Sequence, residues 1–195
     1  MSTRDNIIEA ADALFYERGF EHTSFADIAD AVKISRGNFY HHFKTKDEIL
    51  DAVIAARLER TRAMLTQWEN EAANPQERIC LFITLLTRNQ AKIMRHGCPV
   101  GSLCTELAKL DHAGQAGANA IMDLFRVWLR VQFEQMGRAE DADAFALHLL
   151  ARSQGVAVLA QSLRDKDFVH REVDLMCASV RSSASATTAA SASSR

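Results

Sequence analysis

"TSFADIADAVKISRGNFYHHFKTKDEIL", Thr23 to Leu50, carries three helix-start signals in close succession: Ser24 with Asp27, Ser35 with Asn38, and Thr45 with Glu48. A hydroxyl at the N-cap accepts an N–H of the first turn, and a carboxylate three residues on accepts the cap's own N–H. The first and third pairs match that reciprocal pattern. The stretch therefore reads as two short helices, 25–32 and 36–42, ahead of a long one, 46–69. A short turn joins the first two, with Ile28, Ala29 and Ile34 apolar around it, which is the helix-turn-helix arrangement.

The second short helix decides what the arrangement is for. If Ser35 caps it, the 3.6-residue turn puts Phe39 and Phe43 on one face, four apart, and leaves Arg36, Asn38, Tyr40 and His41 elsewhere. The phenylalanines belong in a core. The cations and imidazoles do not, because burying them without partners costs several kcal/mol each. An exposed Arg, Asn, Tyr and His near a helix start suits insertion into the DNA major groove: Arg and Asn address base edges, while Tyr, His and nearby Lys reach phosphates. Adjacent His41 and His42 point in different directions on a helix, so no metal site is read there.

Charge distribution supports this more than total charge does. The 195 residues carry a formal net charge of −2, and residues 1–47 hold six Lys/Arg against eight Asp/Glu. From Lys33 to Lys46, however, four cations stand without an acid. Hydrophobic residues make up 48 %, enough for a real core. Apolar runs are short and broken by charge, and the first residues carry acids where a signal peptide has its basic region. A cytoplasmic protein without a membrane segment is expected. Cys80, Cys98, Cys104 and Cys177 include no CxxC pair, so neither a disulfide framework nor a zinc site is indicated. No cofactor motif is found.

Only Pro75, Pro99 and eight glycines punctuate the chain, and no alternating strand pattern competes with Ala, Leu, Glu, Arg and Gln. The predicted fold class is all-α. Ile7, Ile8, Ala11, Leu14 and Phe15 give a first helix over 3–18, with Gly19 at its C-terminal cap position. Beyond Pro75, helices are predicted over 75–95, 99–110, 115–136, 141–163 and 168–181. The Ser/Ala/Thr-rich end, 182–195, reads as a mobile tail.

The segment from Thr23 to Leu50, with "IIEAADALFYERGFEHTS" before it, resembles the DNA-binding segment of the tetracycline-repressor (TetR) family of bacterial transcription regulators. The resemblance covers roughly residues 3–55, where Gly19-Phe20, Thr23-Ser24, Ile28-Ala29, Ser35, Tyr40-His41-His42-Phe43 and Lys46 keep the family's order. It implies a DNA-binding domain over 1–47, a helical effector-binding and dimerisation domain over 48–181, and a tail over 182–195. By position it makes Tyr40 and His41 phosphate or base contacts, Arg36 and Asn38 base readers, and Lys46 a phosphate anchor. Thr23 and Ser24 would sit near phosphate, and Gly37 lies among the readers. Lys33 departs from the glycine usual in the turn; it is strained if the turn needs positive φ, and it adds a cation beside the phosphates. Phe25 also replaces a residue that is usually small or polar.

The resemblance further implies double-stranded operator DNA, a small-molecule effector and a second copy of the chain as partners, and repression as the activity. Phe125, Trp128 and Leu129 lie near helical spacing, with Phe82, Met94, Leu103 and Leu107 on other helices; they suit an apolar effector pocket, or a plain core. Cys98 precedes Pro99 at a helix start, where the dipole and free N–H groups lower a thiol's pKa, so a thiol sensor is the alternative regulator. A Cys98 enzyme with His96 or His112 as base lacks any oxyanion or cofactor motif, and no enzyme is predicted. For the dimer interface, Val173, Met176 and Val180 form a stripe on the last helix, and Phe145, Leu149, Val156 and Leu159 offer another before it.

Overall fold

The structure is a computed structural model that describes residues 2–192, with side chains as far as Ser182. The described residues form helices and connecting turns, without strands. In chain order the helices are α1 (Thr3–Arg18), α2 (Phe25–Val32), α3 (Arg36–His42), α4 (Lys46–Glu71), α5 (Pro75–Ile83), α6 (Leu85–Arg88), α7 (Gln90–His96), α8 (Pro99–Lys109), α9 (Gln115–Gln135), α10 (Ala142–Leu163) and α11 (Lys166–Ala192). The all-α expectation holds. The predicted tail begins within α11, which continues to Ala192; residues 193–195 and the side chains beyond Ser182 lie outside the described residues.

The caps form as the sequence dictates. Ser24 accepts the N–H of Asp27 while the Asp27 carboxylate accepts the N–H of Ser24, and Ser35 accepts the N–H of Asn38. A further capping box, Ser2 with Asp5, starts α1. Thr45 Oγ1 accepts the N–H of Glu48, but the Glu48 carboxylate reaches back to Lys44 N rather than to the cap itself. The segment predicted as one helix over 75–95 is three, broken at Thr84 and Asn89. There Thr84 Oγ1 donates to the Leu81 carbonyl at 2.9 Å and Asn89 Nδ2 to the Leu85 carbonyl at 3.1 Å. Such side chains compete with the helical ladder, which is why breaks concentrate at them.

The chain divides into two compact units: residues 1–62 with 99–122, and residues 63–98 with 123–195. The boundary predicted at 47/48 therefore does not coincide with a division in packing. Ile49, Leu50, Val53 and Ile54 of α4, Leu103 and Leu107 of α8, and Ala118 of α9 share one buried core with Ile7, Phe15, Ile28, Phe39 and Phe43. Three short helices expose too much apolar surface to stand alone, and α4, α8 and the start of α9 complete their cover. Polar contacts support the same unit: Arg57, 9 % exposed, donates through Nε to Asp12 at 2.6 Å and through Nη1 to the Pro99 carbonyl at 2.8 Å.

In the second unit α11 packs on α5 and α10 on α7. Its core includes Ile79, Phe82, Ile83, Phe125, Leu129, Leu149, Val173 and Met176. Buried Cys80 and Cys177 are both free thiols. The bond from the Cys177 thiol holds Cys80 down to about 7, and the same bond with burial pushes Cys177 up. Arg152 ties α10 to α11 by an ion pair to Glu172 at 2.9 Å.

Candidate DNA-reading surface

α3 is short and is held by its aromatics. Phe39 and Phe43 are 1 % and 2 % exposed, and truncating a core phenylalanine costs about 3–5 kcal/mol, so these two fix the rotation of the helix. Arg36, Gly37, Asn38, Tyr40 and His41 are then all exposed. Tyr40 stacks on Phe25 with ring centroids 5.6 Å apart and an interplanar angle of 27°, while Phe25 meets Phe39 edge-on at 5.2 Å. Phe25 thus serves as the platform for an outward-facing tyrosine. Lys44 Nζ donates to the Tyr40 carbonyl near the end of α3. A Cβ at Gly37 would meet nothing within 4 Å, so this face is open enough for a backbone to be approached closely.

Lys33 stands in the turn with φ 58 and ψ 43, the left-handed conformation that its side chain disfavours, and it is exposed. Ser24 is exposed as well, at the N-cap of α2, with the Asp27 carboxyl held below its ordinary value by hydrogen bonds from Ser24.

Two expected contacts are placed otherwise. Thr23 is 1 % exposed, and its hydroxyl donates inward to the Gly19 carbonyl at 2.7 Å, so its side chain does not reach a phosphate. It closes the α1–α2 link instead. Lys46 Nζ donates to the carbonyls of Phe20 at 3.0 Å and Glu21 at 3.4 Å and lies 4.3 Å from the centre of the Phe20 ring. Its charge is turned to the same link rather than outward. Helical spacing does not say what lies above a residue, so the sequence could not show that Thr23 and Lys46 turn to the α1–α2 link while Ser24 and Lys33 stay exposed.

The residues considered for an effector pocket do not come together as one set. Leu103 and Leu107 are core residues of the first unit. In the second unit Phe82 and Phe125 pair with centroids 5.4 Å apart, Leu129 is fully buried, and Met94 is half-buried on α7. Trp128 meets Trp68 edge-on at 5.7 Å and donates through Nε1 to Glu69 Oε1 at 2.8 Å. Cys98 is half-buried and accepts from Gln154 Nε2 at 3.5 Å. One polar group not anticipated from the sequence stands beside the aromatics of α9: Gln132 is fully buried, and among the described residues its Nε2 has no hydrogen-bond partner. Arg78 Nη1 donates to its oxygen at 3.4 Å, and a guanidinium only donates, so the amide cannot be turned to relieve the nitrogen.

The expected dimer stripe is mostly internal. Leu149, Val156, Val173, Met176 and Val180 are buried within their own chain, and Phe145 is half-buried against Phe133 and Arg138. Leu159 is 45 % exposed and shares its face of α10 with Leu147, Val158 and Leu163. Leu175 of α11 is also exposed. The last helix therefore turns to its own core the stripe that the sequence offered for a partner, because α11 has α5 and α10 to cover.

An exposed polar face on the second helix of a helix-turn-helix, anchored from beneath by aromatics, defines the class: an all-helical helix-turn-helix protein. Residues 7–53 match the family described as bacterial regulatory proteins, tetR family. The chain is 31 % identical over 115 residues to a helix-turn-helix-type transcriptional regulator encoded in the lacX 3' region of Lactococcus lactis subsp. lactis, covering 56 % of this chain and 57 % of that protein. It is 38 % identical over 78 residues to the transcriptional repressor KstR2 of Mycobacterium tuberculosis, covering 40 % and 39 %. The matched segments thus span about half or less of these relatives' lengths. The fold extends further: a TetR transcriptional regulator from Legionella pneumophila superposes with a TM-score of 0.79 over 90 % of this chain and 95 % of that one, at 24 % identity. Among the described residues no helix is long and apolar enough to cross a membrane.

Proposed function

We propose that this chain is a transcriptional repressor that binds operator DNA as a homodimer in the cytoplasm and is released by a small-molecule effector. The observation that carries the reading is α3: its aromatics are committed to the core and its Arg36, Asn38, Tyr40 and His41 to solvent. Arg36 and Asn38 read base edges. Tyr40, His41, Lys33 and Ser24 hold phosphates, with Lys44 beside them, and Gly37 lets the backbone approach the groove. The names of the relatives, regulators and a repressor, support the same activity.

Dimerisation follows from the reading, since one short helix reads one half-site and two half-sites lie about 34–36 Å apart along the duplex. The exposed stripe of Leu147, Val158, Leu159 and Leu163 on α10, with Leu175 on α11, is the surface for the second copy. Gly155 lies on the same face with open space around its Cα, which allows close approach of a partner helix. The effector binds the second unit among Phe82, Phe125, Trp128 and Leu129, and the free N–H of Gln132 receives an acceptor atom of that ligand. Buried donors are seldom left unpaired, so a carbonyl or carboxylate oxygen is the group this position selects.

The test is a selection of bound duplexes from genomic fragments, followed by titrations against the selected duplex and a scrambled one. Asn38→Ala should change which sequence is preferred, whereas Tyr40→Phe should weaken both about equally, because base contacts discriminate by roughly 1–3 kcal/mol per pair and phosphate contacts do not. Equal losses for Asn38→Ala on both duplexes would remove it as a reader.

A further inference from the structure

The link between α1 and α2, Gly19 to Thr23, sets the angle at which the reading helices leave α1, and it is held from outside by side chains of two other elements. Glu106 of α8 accepts the backbone N–H of Phe20 at 2.9 Å and of Glu21 at 3.0 Å, one on each carboxylate oxygen. Lys46, at the start of α4, takes the carbonyls of the same two residues. His112, after α8, lies edge-on to the Phe20 ring with centroids 4.9 Å apart. The donors of the peptides are thus held by an anion and their acceptors by a cation, and charge-assisted bonds of this kind are the stronger ones.

Gly19 fits this arrangement at close range. Its φ is +92, and a Cβ there would come within 2.7 Å of Glu106 Oε1. At its other end α8 is fastened too, by Arg57 on the Pro99 carbonyl. Pro99 follows Cys98, the residue at which the chain passes from the second unit into the first. α8 is thus fastened near its start by the Arg57 guanidinium and near its end by the Glu106 carboxylate, with its Leu103 and Leu107 in the core, and hydrogen bonds near 3 Å are lost once a partner shifts by about 1 Å.

We propose that Glu106 is the positioning residue through which α8 controls the reading head. Seated, its carboxylate fixes the Gly19–Thr23 link and with it the orientation of α2 and α3; withdrawn, it frees two backbone donors and lets the link relax, and the two reading helices of a dimer lose register. This inference rests on the DNA-binding reading above.

Electrostatics makes the test sharp in sign. Removing a carboxylate from a protein that binds a polyanion raises affinity if charge alone acts, whereas loss of the positioning contact lowers it. With a duplex selected from a random-sequence pool, Glu106→Ala should bind at least tenfold more weakly than wild type at a temperature well below its melting transition. Glu106→Gln, which keeps one acceptor oxygen, should fall between the two. Amide hydrogen exchange should accelerate at Phe20 and Glu21 in both variants while amides of α5 keep their rates. Gly19→Ala should reproduce the DNA defect by displacing the carboxylate. A folded Glu106→Ala variant whose affinity rises, or stays within twofold of wild type, overturns the proposal; if that variant fails to fold, Glu106→Gln is judged by the same criteria. If the wild-type protein binds no duplex, the DNA-binding reading fails by itself. Exchange at Phe20 and Glu21 then decides the clamp: faster exchange in Glu106→Gln upholds it, and unchanged exchange refutes it.

Discussion

Replacing Leu159 and Leu163 together by glutamate should produce a folded monomer. Both side chains sit on the exposed stripe of α10, 45 % and 62 % exposed in the single chain. Fully burying a leucine contributes about 1.5–3 kcal/mol, so covering the exposed half of each yields about 1 kcal/mol. A two-fold interface meets each residue twice, so the double substitution forfeits about 4 kcal/mol of apolar burial, near a thousandfold in dissociation constant at 1.4 kcal/mol per tenfold. The four carboxylates it brings to the interface oppose association further. Folding of the chain is little affected, because neither side chain completes its own core. The contrast is Val173→Arg with Met176→Glu, at positions 5 % and 1 % exposed against the core, where unpaired charge enters the interior and the melting transition itself should collapse. Sedimentation over a concentration series, with thermal melts of each variant, separates the two cases. A Leu159→Glu, Leu163→Glu variant that remains dimeric at micromolar concentration would refute the placement of the interface on this stripe.

Lys33→Gly should raise the melting temperature by a few degrees, since it relieves about 1 kcal/mol of left-handed backbone strain, and should flatten the salt dependence of DNA binding by about one charge. Thr23→Val should cost roughly 1–3 kcal/mol in denaturant unfolding, through loss of its bond to the Gly19 carbonyl, and weaken DNA binding only as far as it loosens the link; a stability unchanged within error would exclude that role. Gln132→Leu should leave stability equal or improved, because it removes an orphaned donor, yet abolish release of DNA by an effector found in a thermal-shift screen; undiminished release would move the effector elsewhere. Asp5 and Asp27 both hold carboxyls below their ordinary value in the folded chain, by hydrogen bonds from Ser2 and Ser24. The sign follows: this stabilisation is fully present above the unfolded value near 3.8 and is lost as pH falls through the lower folded values. Circular dichroism should therefore show α1 and α2 loosening only below about pH 4, and Asp27→Asn should remove that share of the acid sensitivity.

The sequence by itself determined the first four helices and which face of α3 is exposed. Caps and turns are local: Ser24 with Asp27 and Ser35 with Asn38 satisfy N–H groups within one turn, so their spacing is enough to start α2 and α3, and the four-residue interval of Phe39 and Phe43 is enough to say which side of α3 meets the core. The family resemblance carried the same segment to DNA. What lay beyond the reach of spacing was which partner each face or charge meets. Val173 and Leu175 stand two residues apart on one helix, yet the first is 5 % exposed and the second 56 %, and helical period alone cannot say whether a stripe covers its own chain or another copy. Lys46 and Glu106 lie 60 residues apart in the chain and meet on the peptides of Phe20 and Glu21. The acid in "GSLCTEL" was visible as a lone charge beside the apolar Leu103 and Leu107, but nothing within that stretch names its acceptor-hungry donors. Local hydrogen bonding is written in neighbouring residues; the seating of α8 on the α1–α2 link, and the core that joins them, arise only when distant segments are brought together by the burial of their apolar faces.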